Sequence, residues 1–180
     1  MNKLHRQIFL AAVATAALVA FATASVAQEA KKDVSAKKNV GDKHALQIAQ
    51  ADLAEVQAGK LAVSKASSPE VKKFAQSMVD DHGKHLSVLR GMAKSKGMQL
   101  PSAPAKKHQE AMKKLESASG AEFDKRFMTQ MVKDHEDALK LVQDTAKNAK
   151  DAELKADAEK TAPVIQKHLD EAKRIAASLK

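Results

Sequence analysis

Between Val71 and Met92 the chain alternates steps of four and three through Val71, Ala75, Met78, His82, His85, Leu89 and Met92. That spacing sets seven side chains on one stripe of a helix, with Lys72, Lys73, Gln76, Asp80, Lys84, Ser87, Arg90 and Lys94 on the other side. Two histidines stand where the pattern asks for leucine. A buried imidazole needs a partner for its ring nitrogens, because an unpaired polar group in a dry core costs roughly 1–3 kcal/mol.

The same periodicity predicts three more long helices and a short one. The first runs from about Lys43 to Ala66, with Ile48, Ala49, Val56, Gly59, Ala62 and Val63 on its dry side, joined there by Glu55. Asp52 and His44 fall nearer the margins of that face. Ser68-Pro69-Glu70 starts the second helix with a capping hydroxyl, a proline suited to the first position and an acid at the positive end of the dipole. It ends at about Lys96, before Gly97. A connection rich in proline follows, then a short amphipathic helix over Ala105 to Glu116 carrying His108, Ala111, Met112 and Leu115 on one side.

Ser119-Gly120 opens the third long helix, which runs to about Lys147 on a stripe of Ala121, Asp124, Met128, Met131, His135, Ala138 and Val142. The fourth starts at Asp151 with Leu154, Ala158, Thr161, Ile165, His168, Ala172, Ile175 and Leu179 in unbroken three-four spacing. Pro163 predicts a kink in it. Four long helices with one dry stripe each predict an all-α four-helix bundle, with the short extra helix in the connection between the second and third long helices.

Composition narrows the class. Lys3 and Arg6, the apolar run Ile8 to Ala22 and the small residues Ser25-Val26-Ala27 read as a signal peptide over 1–27. Residues 28–42 read as a disordered leader and 43–180 as the bundle domain. The apolar run is shorter than the roughly 20 residues of a membrane span, so no transmembrane anchor is expected after cleavage. The chain has no cysteine and holds together by packing alone. Of 31 basic and 22 acidic residues, the first 27 positions hold two basic and none acidic, leaving 29 against 22 and a formal +7. Lysines scattered among acids, with three phenylalanines and no Trp or Tyr after residue 27, do not make a nucleic-acid platform. The charge leaves room for peripheral association with an anionic envelope surface.

Candidate chemistry sits on the dry stripes. Helical rise puts Glu55, His82, His135 and His168 at similar heights whichever way the long connection runs. Three imidazoles and a carboxylate facing inward predict a metal site, with His85 and His108 as further candidate ligands. Zn, Fe, Cu and Ni all suit imidazole. Met131-Val132-Lys133-Asp134-His135 repeats Met78-Val79-Asp80-Asp81-His82, so Asp81 and Asp134 are expected to orient neighbouring histidines. The alternative is a polar layer that only fixes register, its histidines satisfied by Asp81, Asp134, Glu55, Thr161 or internal water. His44 reads as peripheral, and His5 lies in the signal.

A resemblance covers nearly the whole domain. It rests on Ala54-Glu55-Val56, Gly59-Lys60-Leu61, Ser68-Pro69-Glu70-Val71-Lys72, Met78 to His82, Leu100-Pro101 with His108, Ser119 to Asp124, Met131 to His135 and His168-Leu169. In these the chain resembles a bacterial envelope family of ferritin-like four-helix bundles without an assigned activity, described as periplasmic or predicted outer-membrane proteins. The resemblance implies export and a ferritin-like fold. Iron-handling ferritins use Glu-x-x-His, but here Val79 and Val132 stand three residues before His82 and His135. The expectation is therefore an exported, non-enzymatic bundle serving envelope maintenance or stress tolerance, with a His/Glu core open to a metal ion. The alternatives are a metal-dependent enzyme or metal buffer on that core, and a lipid- or partner-binding module using the 105–116 helix.

Overall fold

The computed structural model describes residues 42–179. The signal peptide read at 1–27 and the leader up to residue 41 lie outside the described residues. Five helices and no strand occur among those described: α1 (Lys43–Lys65), α2 (Pro69–Ser95), α3 (Lys106–Glu116), α4 (Gly120–Asn148) and α5 (Ala152–Ser178). Each boundary has a local cause. Asp42, Ser68 and Asp151 accept backbone N–H bonds from His44, Val71 and Leu154, capping α1, α2 and α5. Gly97 ends the α2 segment at φ +62°, a conformation open to glycine without strain. Ser119 stands at the start of α4 but makes no capping side-chain bond. α5 continues through Pro163 as one helix.

The connections run the length of the molecule. At one end Asp124, near the start of α4, accepts N–H bonds from Ser67 and Ser68 in the α1–α2 turn at 2.8–3.2 Å. At the other end, Lys96 after α2 lies 2.6 Å from Asp151 in the α4–α5 turn, and His44 lies 3.1 Å from Asp144. The two tight turns are therefore at opposite ends, and residues 96–119 cross from one to the other. Hence α1 and α2 are antiparallel, α4 and α5 are antiparallel, and α2 and α4 run the same way. Packing is most extensive inside each hairpin, α1 with α2 and α4 with α5. The short α3 rests on α1 and α4 and covers the seam between them. α2 and α5 share a short seam.

Apolar residues form two main clusters with a polar layer between. Phe74, Met78, Phe123, Phe127, Met131 and Ile175 belong to one; Ile48, Leu53, Leu86, Leu89, Met92 and Leu154 belong to the other. The buried face of α1 is rotated from the sequence expectation: Asp52 is buried, whereas Val56 and Val63 are only partly so. Alanines on both sides of α1 blur the hydrophobic stripe, so tertiary packing chooses the face.

Candidate metal site

His82 of α2, His135 of α4 and His168 of α5 meet in the polar layer, each at most 4% exposed. Their ring centroids are 5.6–5.7 Å apart, and His135 stands edge-on to both others. One ring nitrogen from each lies within 4.8 Å of the other two. Nitrogens sharing one ion at about 2.1 Å each lie roughly 3–4 Å apart, a span that small ring rotations reach.

What the other nitrogens do fixes the direction of the lone pairs. His82 Nδ1 donates to Asp52 Oδ1 at 2.8 Å, His135 Nδ1 to the Met131 carbonyl at 2.9 Å, and His168 Nε2 to Asp81 Oδ2 at 3.1 Å. With those protons placed, His82 Nε2, His135 Nε2 and His168 Nδ1 are left as acceptors, and all three are buried without a partner. Three buried acceptors brought this close cannot satisfy one another. A cation answers all three at once.

The local electrostatics favour the neutral form of His135 and His168. Burial depresses the basicity of His135 to about 3, helped by His82 and His168 and opposed by its bond to Met131. Burial also lowers His168, with Asp81 pulling the other way. Around them, Asp52 binds a second histidine: His85 Nδ1 lies 2.8 Å from Asp52 Oδ2, and His85 Nε2 lies 2.9 Å from Asp157. Burial opposes the charged form of His85, but its two carboxylate partners outweigh it and raise it to about 10. Burial likewise opposes ionisation of Asp52, yet its hydrogen bonds to His82 and His85 keep its carboxyl below the ordinary value. His85 is thus a cation locked between two acids, not a member of the trio.

The other sequence candidates are placed differently. Glu55 is buried on α1, but its carboxylate is not in the group of converging ligand atoms. Burial, then the charges of Asp134 and Asp52, raises its pKa well above the carboxylate range, and Oε2 has no partner. His108 lines a surface cleft between α3 and α4. Asp81 accepts from His168, a candidate ligand, at 3.1 Å. Asp134 instead accepts from Gln130 at 2.8 Å and faces the His108 cleft. Asp52 is the residue that sequence reading undervalued. Its position three residues before Glu55, on the same side of α1, is the signal that could have raised it.

Residues 23–175 match the family described as a domain of unknown function, DUF4142. The chain belongs to the DUF4142 family. No curated protein matches this DUF4142 chain. Its fold is similar to that of a DUF305 protein from Streptomyces coelicolor predicted to be secreted, with 12% identity over 76% of this chain and 91% of that one and a TM-score of 0.66. It is similar to CopM in its Cu(II)-bound form, with 16% identity over 76% and 95% of the two chains and a TM-score of 0.65. A DUF305 fragment from Deinococcus radiodurans aligns with 12% identity over 77% and 99%, with a TM-score of 0.64. At these identities the DUF4142 chain shares a fold with them. No helix among its described residues is long and apolar enough to cross a membrane.

Proposed function

We propose that this DUF4142 protein is an exported, non-catalytic metal-binding bundle that holds one transition-metal ion on His82, His135 and His168. The observation that carries the reading is the set of three inward, unpartnered imidazole nitrogens, each fixed from behind by an oxygen acceptor. Neutral imidazoles suit copper, zinc, nickel and iron. Copper is the first to test, because CopM, whose fold is similar, is described in a Cu(II)-bound form. Met78 and Met131, one turn before His82 and His135, are core-packing residues.

Burial favours holding over turnover. The three rings are 0–4% exposed, so a bound ion would meet little solvent, with His168 alone of the three bordering the α2–α5 cleft. The second reading is a metal-dependent enzyme or buffer, and the observation favouring it is that three protein ligands leave a fourth position free. The ferritin-like reading of the bundle is supported by one long crossover between the second and third long helices, which makes α2 and α4 parallel. The absence of Glu-x-x-His before His82 and His135 separates it from iron storage. Export to the periplasm, with peripheral attachment to the outer membrane and a part in envelope maintenance, rests on the signal-like residues 1–27.

The test is a titration of metal-free protein with Cu(II), Cu(I), Zn(II), Ni(II) and Fe(II), against chelators of graded affinity. One equivalent bound, a raised melting temperature and loss of both in His82→Ala and His168→Ala are expected, since a ligand taken only by the folded state stabilises it. Binding unchanged in these variants would overturn the assignment. Turnover of a defined substrate by the loaded protein, lost in His82→Ala, would favour the enzyme instead.

A further inference from the structure

Two clefts on the surface of the described residues differ in charge. The α3–α4 cleft, about 600 Å³, has acidic and basic side chains in near balance, with Arg126 bonded to Glu122 at 2.7 Å. The α2–α5 cleft, about 540 Å³, does not. Lys84 of α2 and Lys160 and Lys167 of α5 line it, all exposed and none paired with an acidic side chain. The acid on its wall, Asp81, is engaged by His168. His85 brings a cation already matched by Asp52 and Asp157. Three lysines against the one carboxylate of Asp81 leave an excess of positive charge around this concavity, with the Thr161 hydroxyl among its donors.

The fold explains why this seam is open. The crossover that carries α3 lies over α1 and α4, and among the described residues no helix lies in the same way over α2 and α5. The lysines also argue against a bare divalent cation as the occupant, because they repel it. They attract an oxyanion, and ammonium groups on flexible stems can close around carboxylate or phosphate oxygens from two helices.

We propose that the α2–α5 cleft is a binding site for a small polyanion of the carboxylate or phosphate class, held by Lys84, Lys160 and Lys167. The cleft borders the three-histidine centre through His168 and Asp81, but the three lysines are not among the candidate metal ligands, so the site is tested on metal-free protein.

Metal-free full-length protein titrated with citrate and with inorganic phosphate, at physiological ionic strength, tests it by calorimetry and by amide shifts around Lys84 and Thr161. Saturable one-to-one binding is expected. The exposed triple variant Lys84→Gln, Lys160→Gln, Lys167→Gln should weaken it by roughly tenfold, because three exposed charge contacts are lost together. The control triple Lys107→Gln, Lys125→Gln, Lys133→Gln in the α3–α4 cleft should not. Cosedimentation with phosphatidylglycerol vesicles that depends on the first three lysines would assign the oxyanion to a lipid headgroup. Citrate binding without it assigns a free ion. No saturable binding of either probe or vesicle, or equal weakening by both triples, would overturn the proposal.

Discussion

Asp52 Oδ1 lies 2.8 Å from His82 Nδ1, so a carboxylate on α1 sets which nitrogen of an α2 histidine faces the interior. The other oxygen of the same carboxylate is 2.8 Å from His85. One acid thus orients a candidate ligand and anchors a half-buried cation together. Asp52→Asn keeps the size but loses the charge, and its amide group meets the His85 donor badly. Metal affinity should fall roughly 10–100-fold, the usual cost of losing an acceptor behind a ligand histidine. Asp157→Asn, which touches only His85, should leave it nearly unchanged. Chelator competition on both variants checks the difference.

His135 gives a test that separates a metal site from a polar layer kept for stability. It is fully buried, and its Nε2 has no partner. An unsatisfied buried acceptor costs roughly 1–3 kcal/mol, so an apolar residue of similar bulk removes a penalty. Metal-free His135→Leu should therefore melt at the wild-type temperature or above, while the metal-induced rise disappears. A clear drop in the melting temperature of the metal-free variant would instead favour the structural role.

The same residues show how far the sequence could be read. His82, His135 and His168 were legible because each interrupts a strong three-four stripe, and a stripe position in a bundle points inward. Helix ends were legible at Ser68-Pro69 and Gly97, where the backbone itself demands those residues. Glu55 and Asp52 were harder. Both lie on α1, where alanine appears on every side, so the dry face is decided by what α2 and α4 offer and not by α1 alone. The repeated Asp-His pairs misled in one copy. A residue about 100° round the helix from the stripe meets whichever neighbour lies there, His168 for Asp81 but Gln130 for Asp134.

Acid should unfold the metal-free protein through the depressed histidines. His135 takes its proton only near pH 3 when folded but near 6.5 when unfolded, and His168 is shifted the same way. Between those values the unfolded chain holds more protons, so stability is complete above about pH 6.5 and falls as pH drops below it. His85 acts in the opposite sense. Raised to about 10, its contribution is intact below about pH 6.5 and is lost as pH rises through 10. Melting temperature against pH should thus decline on both sides, with His135→Leu flattening the acid limb and Asp157→Asn the alkaline one. An acid limb unchanged in His135→Leu would reject this account.

Gly59 controls the site without touching a ligand. A Cβ there would stand 2.8 Å from the Ala75 carbonyl and 2.9 Å from Val79 Cγ2, so α1 and α2 cross closely at this point. Both obstacles belong to the body of α2, which must move if they are displaced. Gly59→Ala should cost about 1–3 kcal/mol of stability through overpacking. Because Asp52 sits two turns along the same helix, separation of α1 from α2 also draws its carboxylate away from His82, and metal affinity should fall with stability. Gly91→Ala provides the contrast. Nothing lies within 4 Å of its Cβ, so it should gain about 0.5–1 kcal/mol from helix propensity and leave affinity alone. Thermal melts and metal titrations of the two variants together check the claim. Equal affinities in both would mean that the Asp52–His82 bond does not depend on how closely the first hairpin is packed.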